Sequence, residues 1–110
     1  MDIKDYNEDV QEMFLRFLIS DPSLFSRCQN IVEPEFFNRK FRPSVELLQN
    51  HSTEFNSIPT LVQIQAVGGV DLLPIENITP DHHNWFLREF ETFCRHKALE
   101  AAIIESTDLL

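Results

Sequence analysis

The sequence predicts an all-α protein, a compact orthogonal bundle of about five to six helices that ends in a long C-terminal helix. Apolar residues recur at spacings of three and four, which is the period of a helix with one buried face. Glycine occurs only twice, and the six prolines stand at apparent helix starts, where a residue without an N–H fits the first position. The 110 residues have the length of one domain, so we expect residues 1–110 to fold as a single unit.

The first two helices are predicted on either side of Asp21-Pro22. The first is expected from about Asp5 to Ser20, because acidic residues crowd its first turns and one face is apolar. That apolar face comprises Val10, Met13, Phe14, Phe17 and Leu18. The second begins at Asp21-Pro22, since an Asp side chain accepts hydrogen bonds from free N–H groups at a helix start. Its expected inner residues are Leu24, Phe25, Cys28 and Ile31.

Two further proline pairs predict the next elements. Glu33-Pro34 opens a single turn that presents Phe36 and Phe37 and closes within a loop at residues 38–40. Arg42-Pro43 opens a third helix. Its inner candidates are Val45, Leu47, Leu48, His51 and Phe55.

A short fourth helix is predicted after the break at residues 57–60. Thr60 caps it and Gly68-Gly69 ends it, because glycine readily adopts the left-handed conformation that closes a helix. Its apolar residues are Leu61, Ile64 and Val67. Residues 70–78, with Pro74 in their middle, are expected to be irregular.

The long last helix is predicted to start at Thr79-Pro80-Asp81, which combines a cap, a first-position proline and a first-turn acid. A helix from there to Leu110 spans about 45 Å and outruns a head of this size. Its wide apolar stripe comprises Trp85, Phe86, Phe90, Phe93, Cys94, Ala98, Ala101 and Ile104, with Leu87, Leu99 and Ile103 beside it. This exceeds what one small core can cover, so we expect the later part to pack against another chain. The candidates for self-association are Phe90, Leu99, Ile103 and Ile104.

Charge argues against nucleic acid as a direct partner. Eighteen acidic residues against nine basic ones give a formal net charge of −9, which repels a phosphate backbone. The candidate exception is the basic run of Arg39, Lys40 and Arg42, which is read either as a local phosphate contact or as a solvated loop. The many aromatic residues are interpreted as core rather than as a base-stacking surface, because stacking surfaces accompany basic grooves.

The sequence shows no pattern typical of catalysis, of a cofactor or of a metal site. It lacks a phosphate-binding G-x-x-x-x-G-K-[ST] loop and a G-x-G-x-x-G turn, which disfavours ATP binding by this chain. His82 and His83 point in different directions on a helix, so they do not form a metal site with Cys94; we expect a solvated His82 and a capping or packing His83. Cys28 and Cys94 are far apart, and no signal peptide or membrane span opens the chain, which predicts a reduced, cytoplasmic protein.

Three segments together resemble the N-terminal domain of hexameric replicative DNA helicases of the DnaB type. They are FLISDPSLFSRCQNIVEPEFF, EFNSIPT and DHHNWFLREFETFCRHKALEAA, and their order and spacing are those of the family. The likeness is greater to the T-even phage branch, which has an [FY]-x-S-[IV]-P-[ST] turn, here at residues 55–60, and an Asp-His-x-Trp-like segment, here carried by Asp81, His82 and Trp85. Lys97 departs from the pattern, because the family usually has Arg there.

The resemblance implies a non-catalytic collar domain of an ATP-driven helicase ring. By that likeness copies pair through the C-terminal helix, a primase or helicase loader docks on the surface, and ATP and magnesium belong to a motor domain that is absent from this chain. If the protein is phage-encoded, its compartment is the host cytoplasm. Two other hypotheses stay open: a stand-alone acidic helical regulator that binds a basic replication or transcription protein, and direct single-strand binding through the basic run.

Overall fold

Five α-helices and two 3₁₀ turns make up the part of the chain that the structure describes. The structure is a computed structural model, and it describes the backbone of residues 6–108 and the side chains of residues 6–104. The helices are α1 Glu8–Ser20, α2 Pro22–Cys28, α3 Arg42–Phe55, α4 Leu61–Gly68 and α5 Pro80–Asp108, and the 3₁₀ turns are Pro34–Phe36 and Arg39–Phe41. No strand forms between residues 6 and 108. The predicted all-α class with a long C-terminal helix is confirmed.

The predicted helix caps form. The Asp21 side chain accepts a hydrogen bond from the Ser23 N–H at 2.9 Å, as expected for the start of α2. Thr60 and Gln63 form a reciprocal capping box at the start of α4, with N···O distances of 3.2 and 2.8 Å. Gly69, with φ of 71°, adopts the left-handed conformation that ends α4. Local capping chemistry therefore sets these boundaries.

The start of α1 differs from the prediction. Asp5 lies outside the described residues, and α1 begins at Glu8. Asn7 is the N-cap, because its side chain accepts a hydrogen bond from the Val10 N–H at 3.1 Å. The acidic residues that suggested an earlier start are divided between the segment before α1 and its first turn.

The segment between α2 and α3 also differs in two respects. Helix α2 ends at Cys28, so Ile31 lies beyond it and is exposed rather than inward-facing. Residues 38–40, expected as a loop, lead into the second 3₁₀ turn, Arg39–Phe41. Burial of Phe41 explains this turn, since the side chain is completely removed from solvent.

Aromatic packing between α1 and α5 forms the centre of the core. The Phe14 ring lies 5.9, 5.4 and 5.3 Å from the rings of Phe86, Phe90 and Phe93, measured between centroids. Phe37, from the segment between the 3₁₀ turns, lies 5.3 Å from Phe93. These separations fall within the favourable range for aromatic pairs, so the interpretation of the phenylalanines as core holds for this cluster.

Helices α3 and α4 bury fewer apolar residues than predicted. Val45, Leu48 and Ile64 are buried, but Leu61 and Val67 are exposed, and 60% of the Phe55 side chain is accessible. The inward placement of Phe55, Leu61 and Val67 was therefore wrong. The physical reason is that α4 packs on α3 alone, through the side that carries Ile64.

Helix α5 spans the molecule from end to end. Its 29 residues correspond to about 44 Å, and the longest dimension of the molecule is 45 Å. The segment that leads into α5 is held on α1, since Arg16 Nε donates to the Leu73 carbonyl at 2.8 Å and the Ile75 N–H donates to Ser20 Oγ at 2.7 Å. The direction of α5 is thus fixed at its start, and its far end projects from the head.

Candidate interaction surface

The C-terminal part of α5 exposes an unusual amount of apolar surface. Every residue from 98 to 104 is exposed, and we call this segment the α5 overhang. Leu99, Ile103 and Ile104 are 59%, 58% and 62% accessible. Single exposed apolar residues are ordinary, but three large ones within seven residues mark a contact surface.

The overhang presents apolar side chains in two directions. Leu99 and Ile103 are four residues apart and therefore lie on one face of the helix, which we call the outer face. Ile104 is turned about 100° further around the axis. It lines a groove together with Ala101 and Lys97, which are on the side of α5 that continues toward the head. The overhang therefore offers two surfaces with different neighbours.

Phe90 does not belong to this surface. Its side chain is completely buried, and its ring lies 5.1 Å from the Phe86 ring in the core. The expectation that Phe90 contributes to self-association is corrected, because a side chain enclosed by its own chain cannot contact a second one. The other three candidates, Leu99, Ile103 and Ile104, are accessible.

The groove beside the overhang has a mixed lining, and we call it the basic groove. Its volume is about 370 Å³. One wall comes from the 3₁₀ turns and the start of α3, the other from α5. The side chains that define them are Phe36, Arg39, Arg42, Lys97, Ala101 and Ile104. Glu35 and Glu100 also line the groove, so its positive charge is partly balanced.

A buried glutamine holds the 3₁₀ wall of the basic groove in place. Gln11 is buried, its Oε1 accepts from the Asn38 N–H at 2.7 Å, and its Nε2 donates to Asn38 Oδ1 at 3.2 Å. Arg42 Nε donates to the Phe37 carbonyl at 3.1 Å. Because a buried side-chain amide satisfies both groups of Asn38, the wall is anchored to α1 rather than free to shift.

The basic run does not converge on one point. Lys40 forms an ion pair with Glu8 at 2.6 Å, and its ammonium lies 5.0 Å from the centroid of the Phe41 ring. Arg39 and Arg42 instead line the basic groove, which Lys40 does not. The structure therefore separates the three residues that the sequence placed together as a candidate phosphate contact.

The two cysteines lie near the overhang but are chemically inactive thiols. Both are buried, and Cys94 lines a second depression of about 570 Å³ on the other side of Phe36. Burial raises the pKa of Cys28 to about 11 and that of Cys94 to about 12. At neutral pH both thiols are protonated, and the protonated form is a poor nucleophile and metal ligand.

The two adjacent histidines exchange the roles expected from the sequence. His82 caps α5, since its backbone N–H donates to Thr79 Oγ1 and the Thr79 N–H donates to His82 Nδ1, both at 3.2 Å. His83 Nε2 lies 2.7 Å from the Asp21 carboxylate and so links the start of α5 to the start of α2. A hydrogen bond from Ser23, joined by the contact with His83, holds the pKa of Asp21 below its usual value. Within the described residues no group of three or more His, Cys, Asp or Glu side chains is arranged to hold a metal.

Sequence reasoning found the overhang but missed the basic groove. The exposed leucine and isoleucines followed from the length and apolar content of α5. The groove needs Phe36 and Arg39 to lie against Ala101, and these residues are more than 60 positions apart in the chain. The pairing of Gln11 with Asn38 that positions this wall likewise leaves no periodic signal.

Comparisons with protein-family models, with curated proteins and with solved structures give no match to this chain. Among the helices of the described residues, none has the length and apolar content needed to cross a membrane.

Proposed function

We propose that this chain is a non-catalytic assembly and partner-docking domain of a phage-type replicative DNA helicase. It is the part of the collar in which copies associate through the C-terminal helix and to which a primase or helicase loader binds. In this proposal ATP and magnesium act in a separate motor domain, and the protein works in the host cytoplasm. The observation that carries the proposal is the exposed apolar outer face of the α5 overhang.

Two independent arguments support it. The three resembling segments are those of the DnaB-type N-terminal domain, and they include the start of α2, the turn before α4 and most of α5. The overhang supplies a physical reason for assembly, because Leu99 and Ile103 leave more than half of their surface in water. A second copy packed on the outer face would remove that surface from solvent.

The expected strength of such a contact follows from the exposed fractions. Full burial of a Leu or Ile side chain is worth about 1.5–3 kcal/mol, so burying the remaining exposed part contributes about 1–2 kcal/mol for each residue. Four side chains in a symmetric pair give about 4–7 kcal/mol, while association itself costs about 4 kcal/mol or more. The outer face alone therefore supports a weak complex, with dissociation in the range of about 1 mM.

Analytical ultracentrifugation over a concentration range that reaches this regime tests the assembly. We expect the average mass of the 110-residue chain to rise with concentration, and the double substitution Leu99→Glu with Ile103→Glu to abolish the rise. Val62→Glu is the matched control, since Val62 is also an exposed apolar residue but lies on α4. A chain that stays monomeric at the highest concentration, and stays so when extended by the residues encoded after it, would refute assembly through α5.

The reading frame after Leu110 tests the assignment to a helicase. A downstream G-x-x-x-x-G-K-[ST] loop is expected, because a helicase motor needs a phosphate-binding loop for ATP. A stop codon near Leu110 would instead support the stand-alone acidic regulator. That alternative is favoured by the net charge of −9, which attracts a basic partner.

A further inference from the structure

One stretch of the chain carries acidic residues and no basic ones. Residues 43–87 include Glu46, Glu54, Asp71, Glu76 and Asp81 but neither lysine nor arginine, so they hold five of the nine net negative charges. All five carboxylates are exposed. None of them forms an ion pair with a basic side chain within the described residues. This stretch contains most of α3, all of α4 and the start of α5.

Helix α4 within this stretch is apolar on its solvent side. Ile64 is the one residue of α4 that is fully buried, and it contacts the head. Val62, which is 200° away around the helix, is 76% accessible. Leu61, Ala66 and Val67 are exposed as well. An eight-residue helix thus leaves most of its apolar side chains in water.

Phe55 extends this apolar surface at one end. Helices α3 and α4 run in opposite directions, since the start of α3 meets the end of α4 where Ser44 lies against Gly68. Phe55 is the last residue of α3 and Leu61 the first of α4, so both lie at the same end of the hairpin. Glu54 precedes Phe55 at that end. We call the surface formed by Phe55, Leu61, Val62, Ala66 and Val67 the hairpin face.

From these features we infer that the hairpin face docks a basic amphipathic helix of a partner protein. The apolar residues of that helix would cover Val62 and its neighbours, and its lysines or arginines would meet the surrounding carboxylates. The net charge of the whole chain steers a basic partner toward the protein, whereas it repels nucleic acid and anionic lipid. The inference rests on the partner-docking part of the proposed function and assigns that role to a surface separate from α5.

A synthetic peptide of about four helical turns, with leucines on one face and lysines on the other, probes the surface. We expect it to bind the full 110-residue chain, with NMR shift changes concentrated in α4 and around Phe55. Affinity measured by fluorescence anisotropy is expected to fall with increasing salt. Peptides of the same length that carry glutamate in place of lysine, or serine in place of leucine, should bind at least tenfold more weakly.

Matched substitutions locate the site. Val62→Ser should weaken binding of the Leu/Lys peptide about tenfold, since one buried Val side chain corresponds to about one such factor in affinity. Leu99→Ser on the α5 overhang is the apolar control and should leave it unchanged. Glu54→Lys should weaken binding severalfold, whereas Glu35→Lys, an exposed acid of the basic groove, should have little effect.

Four results would overturn the inference. They are equal binding of the glutamate peptide, insensitivity of Leu/Lys binding to Val62→Ser, binding of a single-stranded oligothymidylate at the hairpin face, and loss of self-association in Val62→Ser, which would make a second copy the occupant. Failure here is distinguishable from failure of the proposed function. Concentration-dependent assembly that depends on Leu99 and Ile103 would stand without any peptide binding, and peptide binding would stand without assembly.

Discussion

Replacing Gly68 by alanine is expected to destabilise the protein through one steric contact. A Cβ atom at Gly68 would lie 2.1 Å from Ser44 Oγ, 3.2 Å from Ser44 Cβ and 3.4 Å from Ser44 Cα. The hydroxyl can rotate away, but the Cβ and Cα of a helical residue cannot move without shifting α3. The contact between α3 and α4 therefore depends on the absence of a side chain at residue 68.

The magnitude follows from two opposing effects. Overpacking of this kind costs about 1–3 kcal/mol. Alanine regains part of this through its helix propensity, by less than the about 1 kcal/mol of an interior position, because Gly68 is the last residue of α4. We expect Gly68→Ala to lower the free energy of unfolding by about 1–2 kcal/mol, a shift of the urea midpoint on the order of 1 M.

A second substitution identifies the cause. Ser44 Oγ is buried and has no hydrogen-bond partner among the described residues, so Ser44→Ala alone should be neutral or slightly stabilising. It should restore much of the stability of Gly68→Ala by removing the shortest contact. Gly69→Ala is the control: nothing lies within 4 Å of its Cβ position, but its φ of 71° costs about 1–2 kcal/mol, and Ser44→Ala should not restore that loss.

Urea unfolding followed by circular dichroism measures all five proteins. An unchanged midpoint for Gly68→Ala would refute the steric reasoning. So would equal rescue of both glycine variants by Ser44→Ala, since that would show a general stabilisation rather than relief of one contact.

Three further substitutions test the core, the capping and the groove wall. Phe90→Ala should cost about 3–5 kcal/mol and Leu99→Ala no more than about 0.5 kcal/mol in urea unfolding at low protein concentration, and similar losses would contradict the assignment of Phe90 to the core. Asp21→Asn keeps a capping acceptor but removes the charge; its loss of stability should be fully present above the ordinary Asp pKa of about 3.9 and vanish as the pH falls through the lower pKa of the folded protein, whereas a loss that persists at lower pH would exclude ionisation as its source. Gln11→Ala leaves the buried Asn38 N–H without its acceptor, so it should cost about 1–3 kcal/mol and speed hydrogen exchange at Asn38; unchanged exchange would show that another group holds the wall.

The helix boundaries were largely predictable because the chemistry that sets them is local. Asp21, Thr60 and Gly69 act on N–H or C=O groups within a few residues, so their effect can be read from adjacent positions. The start of α1 was placed too early because acids before a helix and acids in its first turn look alike in a sequence. Asn7 made the difference through one hydrogen bond.

The composition of the candidate surfaces was only partly predictable. The accessibility of Leu99, Ile103 and Ile104 agrees with a helix longer than the head. The burial of Phe90 does not agree with the interface expected for it, because periodicity places a residue on a face of a helix without telling where the head ends. The basic groove and the hairpin face depend on neighbours that are distant in the chain.

The amino-acid sequence by itself determined that this protein is helical, where most helices begin and end, and that α5 has more apolar surface than its head can cover. These properties arise from hydrogen bonds and spacings within a few residues. Only the tertiary structure decided which of two similar side chains is enclosed. Phe41 is buried while Phe55 is 60% accessible, because burial depends on what packs on each side of an element, and that is settled by the whole fold rather than by the local pattern.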